Sequence, residues 1–319
     1  MIDYTVFYKD AWSFDAWPGD EGWDVFLSAF NSSDRVQLVF QKATASEKHW
    51  LIAQEYQYRD DELPSSGRCI TAPSLFEAEI VRHYFDQTGF EPARCKLCVD
   101  ITGFMRPHLL FLLRYLAERG VTKFDAIYSE PRHYASAEKT RFSDEVIVDV
   151  RQIAGYEGNH VTDTSSDVLV IGAGYDDKLI AHVAEHKDSA KKVRILGLPS
   201  LRADMYQQNV LRAELASEQV GGNALDGIET HFAPANDPFV TADALSSIVL
   251  IMRARRPISN LYLSPLATKV QALGFGLYYL FECIGQPVSL VFPFCRSYER
   301  ETSKGISRVW RYRIELPER

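Results

Sequence analysis

Hydrophobic and polar positions change texture near residue 70 of this chain. Before it the segments are short and mixed. "YTVFY" has the texture of a strand, and "GWDVFLSAFNSS" that of a short helix, with Trp23, Phe26, Leu27 and Phe30 at 3-4 spacing. "RVQLVFQKATA" and "KHWLIAQEYQY" predict two strands, and "RDDELPSSGR" a polar linker. From Phe76 a longer alternation begins. "SLFEAEIVRHYFDQTG" predicts an amphipathic helix, capped by Ser74 with Glu77 three residues on. Continuous apolar runs then alternate with helical stretches: "KLCVDITG", "FDAIYSEP", "EVIVDVRQIAG", "DVLVIGAG", "KVRILGLPS", "ETHFAPAND", "NLYLSP" and "PVSLVFPF" predict strands. One predicted helix runs from Arg202 to Glu218, and another covers "ATKVQALGFGLYYLFECIG". "SRVWRYRIEL" alternates strictly and predicts an antiparallel edge strand.

Unbroken apolar strands separated by helices imply βαβ units on a mostly parallel sheet. The expected fold is a doubly wound, Rossmann-like α/β domain over 71–319, with a small Trp-rich α+β unit over 1–70. Four of the five tryptophans, Trp12, Trp17, Trp23 and Trp50, fall in that first unit, where they predict packing residues.

Composition narrows the classes. Hydrophobic residues make up 46% of 319 positions, a globular proportion. No uncharged apolar run reaches the length of a membrane span, and the amino terminus has no signal-peptide pattern, so a cytoplasmic protein is expected. Net charge is -8, and the first 68 residues hold twice as many acids as bases, which disfavours a nucleic-acid partner. Five cysteines lack the spacing of a zinc site; Cys95-x-x-Cys98 has no second pair, so no metal is expected. His182 and His186 stand four apart on one predicted helix without a third ligand nearby.

In such sheets ligands bind beyond the carboxyl ends of the strands, at the point where strand order reverses. The residues just after each predicted strand are unusually polar. They include Asp100, Thr102 and Arg106; Glu130 and His133; Gly172, Gly174, Tyr175 and Asp176; Ser200 and Arg202; Asn236 and Asp237; Ser264, Thr268 and Lys269; and finally Tyr298. Gly172 and Gly174 fit the opening of a dinucleotide fingerprint, but Asp177 takes the third small-residue position and would repel a pyrophosphate. No NAD, FAD or other cofactor is therefore expected. "LSPLATKVQALGFG" carries the stronger signal: hydroxyls, backbone N–H groups and an ammonium converge at a helix start, which suits a phosphate.

The turn Ser264–Lys269, with "DITGF" after an earlier strand, resembles the CARF-type Rossmann-like ligand sensors, over about residues 96–295. The family favours glycines before its Thr-Lys pair, where Leu266 and Ala267 stand here. The resemblance implies a pocket over the strand ends, across a homodimer, that holds a cyclic oligonucleotide touched by Thr268 and Lys269.

Three functions follow as expectations. The first is a sensor or regulatory protein binding a nucleotide or other phosphorylated ligand, with a homodimer or partner protein engaged through the N-terminal unit. The second is an enzyme acting on a nucleotide or nucleoside, with Asp100, Glu130 and His133 as acid–base groups. The third is a non-catalytic subunit of a larger assembly.

Overall fold

A computed structural model describes residues 2–134, 147–201, 207, 210–211, 215, 228–296, 298, 300 and 303–318. The chain divides into two compact units. The first comprises residues 7–144 with 297–319; the second comprises 1–6 with 145–296. Each is an α/β layer structure around a mostly parallel sheet.

The first unit has a seven-stranded sheet. Its parallel strands are β2 (Asp20–Ala29), β3 (Thr44–Ile52), β4 (Arg68–Thr71), β5 (Leu97–Asp100) and β6 (Lys123–Tyr134). They lie in the order β4-β3-β2-β5-β6, continued by β13 (Ser303–Glu315) and β1 (Lys9–Trp12), both antiparallel to their neighbours. Helices α1 (Asp34–Lys42), α2 (Glu77–Thr88) and α3 (Arg106–Glu118) supply crossovers. Trp17, Trp23 and Trp50 are buried with Phe26, Phe30 and Phe40 in its core, and Trp12 packs against them. The tryptophans are packing residues, as their clustering predicts.

The second unit repeats the topology. Its strands are β8 (Val168–Gly172), β9 (Lys191–Gly197), β10 (Glu229–Ala233), β11 (Leu261–Pro265) and β12 (Val288–Cys295), in the order β10-β9-β8-β11-β12. The antiparallel edge strand is β7 (Ile147–Gln152), paired with β12. Described helices are α4 (Asp177–His186), α5 (Pro238–Arg255) and α6 (Lys269–Tyr278). With the parallel strands numbered from β2 and from β8, each sheet runs third, second, first, fourth, fifth, the order of doubly wound nucleotide folds. In each, strand order reverses between the first and fourth strands.

Several expectations change. The division expected at residue 70 falls inside a sheet, because β4 pairs with β3 and β2 pairs with β5. The Trp-rich segment is thus the opening βαβ of a full Rossmann-like unit. "GWDVFLSAF" is strand β2, not a helix: it is buried without a break from Val25 to Ala29, so its 3-4 spacing was coincidental. "RVQLVFQK" is helix α1, not a strand, with Val36, Val39 and Phe40 on its buried face. "YTV" is one 3-10 turn. β13 is antiparallel as expected, but β1 covers it, so it is not the edge. α2 starts at Glu77 rather than at Ser74, whose hydroxyl accepts from the Phe76 N–H instead. The helix predicted over 202–218 lies largely outside the described residues.

Candidate functional site

The switch point of the first unit lies between β2 and β5. Their carboxyl ends are drawn together at Gly103, where a Cβ would stand 1.8 Å from the Ala29 carbonyl oxygen. Only glycine permits that approach. Beyond β2 come Asn31, Ser32 and Ser33, then α1. Asn31 Oδ1 accepts from the Ser33 N–H at 2.8 Å, and the Tyr58 hydroxyl accepts from the Ser32 N–H at 2.8 Å. The start of α1 has no side-chain cap.

Arg35, in the first turn of α1, is only 7% exposed. Its Nη1 donates to the Ser129 carbonyl on β6, while its buried Nε has no acceptor among the described residues. Among the described residues no carboxylate forms an ion pair with it. A buried guanidinium ordinarily has such a partner.

Glu55 stands in the 3-10 turn after β3, 5% exposed. Its Oε1 meets His108 Nε2 at 3.1 Å, from the first turn of α3, and its buried Oε2 has no donor among the described residues. Tyr56, Met105 and Ala53 pack beside it, with the partly buried rings of Tyr58 and Tyr298 against them. Burial pushes the Tyr56 phenol well above its ordinary pKa. α3 also starts without a side-chain cap.

The predicted residues of this unit are placed as follows. Asp100 is fully buried; it accepts from Ser28 Oγ at 3.0 Å and from the Thr102 N–H at 3.0 Å, so it holds the turn. Thr102 Oγ1 meets the Ser129 N–H and hydroxyl at 3.0 and 3.1 Å. Glu130 accepts from Trp310 Nε1 at 2.8 Å and from Ser307 Oγ at 3.2 Å. His133 is exposed, three residues further along the same strand and hence on its other face. Glu130 and His133 therefore do not face one another as an acid–base pair. Arg106 opens α3, and the Tyr298 N–H donates to the Glu55 carbonyl at 3.3 Å.

In the second unit the two sequence signals meet across the switch point between β8 and β11. Gly174 lies so close to the next turn that a Cβ would stand 2.2 Å from the Leu266 carbonyl, and one on Gly172 would press on the Phe275 ring. The glycines serve this packing. Asp176 caps α4 by accepting from the Leu179 N–H, and Asp237 caps α5 through the Phe239 and Val240 N–H groups. Thr268 caps α6, accepting from the Gln271 N–H at 3.1 Å and donating to the Ala235 carbonyl at 2.7 Å. Lys269 follows, half-buried. Ser264 is fully buried on β11, its hydroxyl without a partner among the described residues. Tyr175, Ser200 and Asn236 are half-buried at neighbouring strand ends; Arg202 lies outside the described residues.

Sequence reasoning missed Asn31, Ser33, Arg35, Glu55 and His108. The available signal was "NSSD" after an apolar run, a helix-start pattern. Comparison with protein-family models and with curated proteins gave no match. No described helix is long and apolar enough to cross a membrane.

Proposed function

We propose that the protein binds a nucleotide or other phosphorylated ligand at the carboxyl edge of its first parallel sheet, as a sensor or regulatory protein. The observation that carries this reading is Arg35, a buried cation with no carboxylate partner among the described residues, at a topological switch point. A phosphate there would accept from the guanidinium and from the backbone N–H groups at the start of α1, whose own carboxylate, Asp34, is engaged by the Gly305 N–H at 3.0 and 3.2 Å. Such a contact offsets the cost of keeping the guanidinium buried. The caps of α4 and α6 are supplied by their own side chains, which makes the second switch point the weaker anion site.

One observation favours the alternative position. The unpartnered Ser264 hydroxyl lies at the end of β11, just before the Thr268-Lys269 turn that resembles the CARF-type sensors. On that reading a cyclic oligonucleotide sits over the second unit.

Native mass spectrometry of the purified protein, with small-molecule identification, gives the ligand class. Titration calorimetry with that ligand then separates the positions. Arg35→Ala is expected to weaken binding about tenfold or more, the cost of a hydrogen bond to a charged group, with Lys269→Ala within about twofold of wild type. The opposite ranking moves the ligand to the second unit. Loss of neither affinity removes both positions.

A further inference from the structure

The carboxylate of Glu55 is fixed but half satisfied. His108 holds Oε1, and Oε2 is buried with no donor among the described residues. A buried carboxylate oxygen without a donor is costly, so its position asks for a hydrogen-bond donor from outside the described chain. A metal ion is poorly served there, because among the described residues no group of three or more carboxylate, imidazole or thiol ligands gathers. An N–H or O–H donor is the fitting partner.

The place of Glu55 in the topology says which donor. It follows the second parallel strand of a sheet ordered third, second, first, fourth, fifth. When a nucleotide phosphate sits at the helix after the first strand, a carboxylate beyond the second strand meets the ribose hydroxyls. Here the helix after the first strand is α1, which carries Arg35. Two half-satisfied buried groups of opposite sign thus follow the first and the second parallel strand, the strands whose ends hold phosphate and sugar in a doubly wound nucleotide fold. The apolar surface of Tyr56, Tyr58, Met105 and Tyr298 lies beside the second.

Resting on the proposed phosphate site, we propose that the ligand is a ribonucleotide whose vicinal ribose hydroxyls donate to Glu55 Oε2. Glu55 is then a specificity residue and His108 a positioning residue that holds its carboxylate in place.

The test uses the full-length protein and titration calorimetry. The probes are the four common ribonucleoside monophosphates, their 2′,3′-dideoxy counterparts and inorganic phosphate. The best-bound ribonucleotide is expected to bind about tenfold or more tighter than its dideoxy counterpart. Glu55→Gln should shrink that ratio to about threefold or less, with affinity for inorganic phosphate unchanged. The wild-type ratio decides the matter even where the variant folds poorly. A ratio within about twofold, with binding still dependent on Arg35, overturns the ribose assignment and leaves the phosphate site standing. Binding of none of these probes, or binding indifferent to Arg35→Ala, overturns the phosphate site and the ribose assignment with it.

Discussion

At the scale of single residues, burial and pairing separate structural groups from candidate ligand groups. Asp100 showed in the sequence as a carboxylate closing an apolar strand, yet two hydrogen bonds employ it in the turn. Arg35 and Glu55 drew no attention in the sequence, because nothing in a string of letters shows which buried atoms lack partners. His49 illustrates a titratable group with a structural role. It is almost fully buried, with Nδ1 2.8 Å from the Tyr84 hydroxyl and Nε2 3.0 Å from Glu47. Desolvation lowers its pKa, against the opposing pull of Glu47, and the Arg68 charge adds to the lowering. The neutral imidazole is the form that the fold prefers. Its contribution is therefore complete above the unfolded pKa of about 6.5 and is lost as pH falls through the lowered folded value. Urea midpoints measured from pH 7.5 down to 5 should fall below that point, and His49→Gln should flatten the fall. An equally steep curve in the variant would assign the effect to another group.

At the scale of elements, most of the strands beyond residue 96 were legible, because unbroken apolar runs bounded by polar turns have few other uses. The first βαβ was not. β2 is central and buried on both faces, so it lacks the period of two that marks a half-exposed strand. α1 is short and rich in valine and phenylalanine, so residue propensity pointed to a strand while its buried face kept helical spacing. Exchanging these two assignments hid the turn between them, and with it the first switch point. The glycine turns were legible as turns, but their cause is packing between loops. Gly103→Ala and Gly174→Ala must each move a neighbouring backbone carbonyl. Each is expected to cost about 1–3 kcal/mol or more by chemical denaturation, since the crowded atom belongs to backbone. Gly89→Ala meets no neighbour, so its cost should come only from a left-handed backbone. Equal losses at all three would show that crowding at the switch points is not what the glycines relieve.

At the scale of the whole molecule, the alternation of strands and helices indicated a doubly wound sheet but not two of them. The strand order repeats without a repeat in the sequence, since each unit needs only apolar strands, crossovers and small residues at close turns. The first unit is also discontinuous in sequence, as β13 comes from the far end of the chain to pair with β6. No local pattern announces such a pairing. The central claim is that Arg35 is buried for a ligand and not for the fold, and thermal unfolding of wild type and Arg35→Met, with and without a ribonucleotide, tests it most directly. Methionine fills a similar volume without a buried charge. Without ligand, the variant should match or exceed wild type to within about 1 kcal/mol, and the ligand-induced rise in Tm should disappear. A variant about 3 kcal/mol or more less stable, with its ligand response intact, would contradict the account and make Arg35 a structural residue.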